Sequence, residues 1–427
     1  MASPITKDHG TILEDNVRQV AARLGVADFV FTAEEVTKGT ALREAGGDGL
    51  LISNGLGAVL QVKSREPAAA LTDEVSRVES WLGKNAFRAR DQGRGTKREL
   101  KRLYDLGNPL KAYPIRAMHL PDSKRERYVH YVSGDTSDWP TIVVLDHIQA
   151  IGVDLGFEDD TLWITYDDWC ALQLRVRSTT GILRYVRRVL LSKLHVPLGK
   201  ELERYTTLRE AFVPNSPTAV PEFPDVTYVG DIGAEIFHEI IDKVWHDDGV
   251  IPWSNPEQYR AIVEFLDNVP PSLQTIVGSW FFKKRSELAS GQARSSGIVQ
   301  VNNNRLVYLC TNITSDSDAR EWQAQFSALT ILRHTQAIES GALTDSMTLG
   351  VAALVETRGS KSGVSYIYVL LRGSDALVPI PTDIRRFYEY NYGIYSNQKR
   401  AISELRVTRN ELCPCMSGKK YKKCCGN

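Results

Sequence analysis

Four of the chain's six cysteines, Cys413, Cys415, Cys424 and Cys425, fall within thirteen residues of one another. A cluster this dense leaves its neighbourhood few ways to fold. Zinc takes four soft ligands in a tetrahedron at about 2.3 Å. A Cys-x-Cys pair and an adjacent Cys-Cys pair, joined by eight residues, supply them from one small hairpin. Four thiolates on a dication leave excess negative charge. Lys419, Lys420, Lys422 and Lys423 lie between the pairs and offset it. Backbone N–H groups near Ser417 and Gly418 are expected to bond the sulfurs. Two disulfides are the alternative, but disulfide frameworks spread their cysteines along a chain. Cys170 and Cys310 stand alone in apolar settings. The tail is therefore expected to hold Zn2+, in a protein that works in a reducing cytoplasm.

With Met416 in place of the usual glycine, this segment resembles the SEC-C motif, the zinc-binding tail also found on the bacterial protein-translocation ATPase. That resemblance implies a docking module for a protein or ribosomal partner. It does not extend to the ATPase itself, because no Walker A sequence or helicase core is present.

The chain has 427 residues, enough for two or three domains at roughly 100–200 residues each. Its net charge is zero, so any affinity for nucleic acid must come from local basic patches. No apolar run is long enough to cross a membrane, and the first residues lack the apolar core of a signal peptide. No membrane partner is expected.

Hydrophobic periodicity predicts a helix over 12–24, ended by Gly25, and a short strand at 29–31. Residues 49–53 and 58–63 read as a hairpin with Asn54-Gly55 at its turn. A helix is expected over 72–87, with a second helical piece over 97–104. Strands follow at 128–133, 141–145 and 163–165, then a helical stretch over 166–194 broken near Thr179–Gly181. The four prolines of 213–225 mark a linker. Beyond it, helices are predicted at 234–245, 255–267, 271–290 and 318–339, and strands at 296–300, 305–311, 347–357 and 364–371.

The segment from Gly47 to Arg65 carries the most specific chemistry. Asp48 opens the first strand of the hairpin, and Gln61 and Lys63 end the second. Two residues apart in a strand, Gln61 and Lys63 share a face. An aspartate beside them is a hard oxygen ligand for Mg2+ or Mn2+, and the Gln61 carbonyl is a second, weaker one. Lys63 is suited to orient a water or to stabilise charge on a phosphate. The preceding helix adds Glu14, with Glu34, Glu35 and Glu44 as alternatives for that acid.

This set resembles the PD-(D/E)xK nuclease superfamily in its D…QxK form, found in Mrr-type restriction enzymes and junction resolvases. The resemblance covers residues 10–150 and implies a restriction-endonuclease-like αβββαβ core. It further implies that Asp48 and Gln61 hold magnesium, that Lys63 assists the nucleophile and that Glu14 is the helix acid. Lys84, Arg88, Arg94, Lys97 and Arg98 then read as a grip on a DNA backbone, with Gln92, Gly93 and Gly95 as a loop passing close to it.

Other groups are read as structural. His238, Asp242 and His246 share a helix face without the His-Glu-x-x-His pattern. Gly359–Gly363 is a hairpin turn, and the aromatic run 387–395 is domain packing.

The expected architecture is an α/β nuclease-like domain with a helical extension over 1–210, an α+β domain over 211–407 and the zinc module over 408–427. The expected function is a metal-dependent endonuclease, a hydrolase acting on DNA in defence or repair. The competing expectation is a non-catalytic nucleic-acid-binding or adaptor protein that docks a protein or ribosomal partner through its zinc module.

Overall fold

The structure is a computed structural model. It describes residues 8–33, 35–38, 41–44, 47–132, 134, 136–210, 231–246, 256–289, 295–301, 304–339, 346–358 and 361–373. The linker at 213–225, the aromatic run at 387–395 and the cysteine tail lie outside the described residues. The chain forms two compact units. Among the described residues, the first comprises 8–210 and Leu266–Ser272, and the rest form the second.

The first unit begins with α1 (His9–Leu24), whose N-terminus is capped by Asp8 through the Thr11 N–H. Strands β1 (Val30–Ala33), β2 (Glu35–Lys38), β3 (Ala41–Glu44), β4 (Gly49–Ser53) and β5 (Leu56–Ser64) follow. A one-turn helix α2 (Pro67–Ala70) precedes the long α3 (Val75–Asp105). Then come β6 (Lys111–Pro114), α4 (Asp122–Arg125), β7 (His130–Tyr131), β8 (Thr141–Asp146) and β9 (Thr161–Thr165). Helices α5 (Tyr166–Val176), α6 (Thr179–Ser192) and α7 (Glu201–Glu210) close the unit.

Seven strands form one sheet in the order β7-β6-β1-β4-β5-β8-β9, while β2 and β3 pair separately. β4 runs antiparallel to β1 and β5, and β5, β8 and β9 run parallel. The β4–β5 turn places Asn54 at φ 52° and Gly55 at φ 73°, the left-handed pair that a two-residue hairpin favours. β5 is central and covered on both faces, which explains its nearly unbroken apolar run. Leu60 and Val62 pack with Leu13, Val17 and Ala21 of α1 on one side. Val143, Leu145 and Trp163 pack with Val78, Leu82, Ala86 and Ala89 of α3 on the other. In that setting a buried polar side chain, Gln61, is the informative residue.

Three expectations are corrected here. Residues 92–95 are not a loop: α3 continues through them as a single helix of 31 residues. A Cβ on Gly93 would stand 2.3 Å from Thr141 Cγ2, so this glycine lets the helix lie directly against the start of β8. The break in the later helical stretch falls at Arg177-Ser178, before Thr179. Arg177 takes φ 46°, and Ser178 Oγ accepts the Gly181 N–H at 2.9 Å to restart the helix. The strand expected over 128–133 narrows to His130–Tyr131, paired with β6, a strand the periodicity did not reveal.

The second unit contains α8 (Ile232–His246), most of α9 (Pro256–Asp267) and α10 (Pro271–Ala289), then β10 (Ser295–Val301), β11 (Asn304–Ile313), α11 (Asp316–Glu339), β12 (Met347–Arg358) and β13 (Lys361–Arg372). Its sheet has the order β10-β11-β12-β13, with the parallel β11–β12 pair joined through α11. Phe326, Leu329 and Leu332 of α11 pack on Val307, Leu309 and Ala352. The buried His334 bridges Thr348 Oγ1 at 2.9 Å and the Gly373 carbonyl at 2.7 Å.

Candidate active site

Asp48 sits just before β4, and its N–H donates to the Leu60 carbonyl at 3.2 Å. The pairing of Gly49 with Leu60 then places Asp48 beside Gln61 on the α3 face of the sheet. Asp48 Oδ2 accepts the Val62 N–H at 2.6 Å and lies 3.9 Å from Lys63 Nζ. Lys63 Nζ also donates to the Val62 carbonyl at 2.9 Å. Gln61 is 2% exposed. Gly47, at φ +68°, leaves the room its amide occupies: a Cβ there would stand 2.3 Å from Gln61 Nε2. The three residues named from the sequence are thus brought together by two neighbouring strands.

Burial pushes the Asp48 carboxyl above its ordinary range. Lys63, the Val62 N–H and Arg18 pull the other way and offset only part of that rise.

Arg18 was not legible as a site residue. It lies in an amphipathic helix among apolar neighbours, and its side chain is buried. Its guanidinium donates to the Asp48 carbonyl and pairs with Asp15. Glu14 stands four residues earlier on α1 and so shares Arg18's side of that helix. Of its alternatives, Glu34 lies outside the described residues. Glu35 and Glu44 are paired with each other in the β2–β3 ribbon. Among the described residues, no three His, Cys, Asp or Glu side chains converge to hold a metal ion.

The basic stretch divides in two. Lys84, Arg88 and Arg98 are exposed on α3. Arg94 and Lys97 are turned elsewhere, and the expectation that they face DNA is corrected. Arg94 Nη2 lies 2.7 Å from Asp160 Oδ1 and 3.0 Å from Glu158 Oε2. Lys97, 6% exposed, donates to Asp160 Oδ2 and the Trp139 carbonyl, each at 2.9 Å. Burial opposes the charge on Asp160, yet the hydrogen bonds from Arg94 and Lys97 outweigh it and hold the carboxyl well below its usual range.

The first unit is thus a mixed α/β layer structure with a carboxylate–amide–ammonium set at a hairpin. At the far end of the chain, residues 409–427 match the SEC-C motif, which is generally zinc-binding, and the four clustered cysteines all fall inside that match. Local similarity also links the chain to the protein translocase subunit SecA. The Desulforapulum autotrophicum protein is 38% identical over 63 residues, covering 14% of this chain and 8% of that one. The Carboxydothermus hydrogenoformans protein is 44% identical over 57 residues, 13% of this chain and 6% of that one. The Acetivibrio thermocellus protein is 66% identical over 29 residues, 7% and 3%. The chain therefore spans less than a tenth of these relatives' length. No solved structure matches it. No described helix is long and apolar enough to cross a membrane.

Proposed function

We propose that the first unit is a magnesium- or manganese-dependent endonuclease acting on DNA, and that the SEC-C tail binds zinc through Cys413, Cys415, Cys424 and Cys425 and docks a protein partner. The observation that carries the enzymatic reading is the half-buried Asp48 carboxylate, 3.9 Å from the Lys63 ammonium, with Gln61 beside it. The order α1, β1, β4, β5, α3, β8 is compatible with the αβββαβ core implied by the D…QxK resemblance, with β2–β3 inserted after β1, α2 after β5, and β6, α4 and β7 after α3.

The donor set fits a hydrated magnesium. Mg2+ keeps several waters and needs only one or two carboxylates together with substrate phosphate. Asp48 and Gln61 would hold it, with Gly47 leaving space for the amide. When bound, it supplies Lewis-acid charge to the phosphate and activates water. The chain's own groups do the rest. Arg18 holds the Asp48 backbone in place. Lys63 presents its ammonium to charge that builds on the phosphate oxygens, in a site where burial strengthens that interaction.

Supercoiled plasmid nicking in Mg2+ or Mn2+ tests this. Wild-type protein nicks the plasmid. Asp48→Ala and Lys63→Ala each lose about a hundredfold or more in rate, with the far-UV circular dichroism unchanged. Metal-dependent nicking that survives both substitutions would sink the assignment. Zinc analysis of the full chain is expected to give about one metal per chain, lost in the Cys424→Ser/Cys425→Ser double variant.

The SEC-C match at 409–427 supports one second reading, a non-catalytic adaptor. In that case nicking is absent in wild type, and the tail captures a protein or ribosomal partner. Competition between duplex DNA and ribosomal RNA then identifies the nucleic acid, if any.

A further inference from the structure

We propose that Arg65 is a phosphate-binding residue of the same site, positioned by Asp73 and His147, and that its ligand is a nucleic-acid phosphodiester backbone. This rests on reading Asp48, Gln61 and Lys63 as a nuclease site.

Arg65 directly follows β5. Its N–H donates to the Asp146 carbonyl at 2.9 Å, which carries the β5–β8 pairing one residue beyond the strand. Alternation therefore keeps Arg65 on the face of Lys63, about 7 Å further along. Its guanidinium is gripped on one edge: Nε lies 3.0 Å from Asp73 Oδ2 and Nη2 lies 3.2 Å from Asp73 Oδ1. Nη1 makes no hydrogen bond to the described residues, and the side chain is 34% exposed.

What grips it is buried. The Asp73 side chain is 4% exposed. His147 is fully enclosed, with Nε2 3.4 Å from Asp73 Oδ2. Its Nδ1 accepts the Gln149 N–H at 3.2 Å, which assigns the ring proton to Nε2, on the Asp73 side. The Trp81 ring packs against the imidazole at 5.3 Å. The hydrogen bond from Arg65 is the largest influence holding the Asp73 carboxyl below its ordinary range, so the pair stays ionised.

A surface Arg–Asp pair contributes little because both side chains wander. Here the carboxylate is buried, and it holds one edge of the guanidinium while Nη1 makes no hydrogen bond to the described residues. That free edge matches two oxygens of a phosphate. Orientation fixed in advance lowers the entropic penalty of binding. Lys63 and Arg65 then form a row of two cations for successive parts of one strand.

The rival is a structural clamp that ties the end of β5 to the start of α3. Anisotropy of a labelled DNA duplex, with Ca2+ in place of Mg2+ and over a range of salt, separates the two. Arg65→Gln is expected to weaken binding about tenfold and to lower the salt slope by about one. Arg65→Lys keeps the slope and recovers only part of the affinity. Asp73→Asn and His147→Gln keep the cation, so they raise KM for cleavage with kcat and the salt slope unchanged. Where Arg65→Gln alone fails to fold by stranding the buried carboxylate, the Arg65→Gln/Asp73→Asn double variant replaces it. A double variant with wild-type affinity and slope but a lower thermal midpoint leaves only the clamp. Cleavage and binding that both ignore Arg65 overturn this inference and leave the endonuclease standing. Binding that depends on Arg65 without any cleavage does the reverse. Wild-type protein that binds no DNA overturns both.

Discussion

The middle of α3 and the end of β5 are both rich in arginine and lysine, and they differ in what faces them. On α3, Arg90, Arg94 and Lys97 meet Glu158 and Asp160. Their charge is consumed in holding the helix to the strand edge. At the end of β5, Lys63 faces one carboxylate that burial pushes above its ordinary range, and Arg65 is held by another with part of its guanidinium open. Charge density in the sequence is therefore a poor guide to function. Among the described residues Arg94 meets two carboxylates, Glu158 and Asp160, whereas Arg65 meets one, Asp73.

That contrast can be broken experimentally. The largest effect on stability is expected on α3. Asp160→Ala leaves Arg94 and the buried Lys97 without their shared partner and should cost about 2 kcal/mol, or a thermal midpoint lower by about 4–8 °C. Because the folded carboxyl is held below its ordinary range, the wild-type contribution is complete above about pH 4 and is lost as the pH falls. The gap between Asp160→Ala and wild type should close on acidification, as followed by thermal melts. A gap that is constant with pH would mean that the pairs are not what Asp160 supplies.

Asp48 should behave in the opposite sense. Its folded carboxyl is raised, so its contribution is favourable at low pH and is lost as pH rises through that higher value. Asp48→Asn is expected to raise the thermal midpoint near neutrality and to have little effect near pH 4. A stability gained by disabling the site would identify Asp48 as a residue kept for function.

The smallest effect is expected at the exposed row. Lys84→Gln, Arg88→Gln and Arg98→Gln should each change stability by less than about 0.5 kcal/mol. Each should lower the salt slope of DNA binding by about one if α3 touches the backbone. An unchanged slope confines the contact to the end of β5.

Much of the scaffold was readable in advance. Two apolar runs flanking the Asn54-Gly55 turn predicted the β4–β5 hairpin, and 3.6-residue periodicity predicted α1 and most helices of the second unit. The failures share one cause. Gly93 and Gly181 look like breaks because glycine weakens a helix. Both lie inside helices because something packs where a Cβ would be: Thr141 in one case and Val176 in the other. Arg18 stayed hidden for a related reason, since its partner, the Asp48 carbonyl, lies 30 positions away.

By itself, the sequence determined what depends on short spacing. It specified the cysteine set of the SEC-C tail and, through alternation along one strand, the common face of Gln61 and Lys63. Ligand spacing and strand pleat act over a few residues, so they can be read without a fold. Only the tertiary structure decided which cations are occupied and which carboxylate is dehydrated. Arg94 meets Asp160 across 66 positions of chain and Asp73 meets His147 through the packed end of the sheet. Charge and burial at such sites follow from which distant surfaces come together, and no local pattern carries that information.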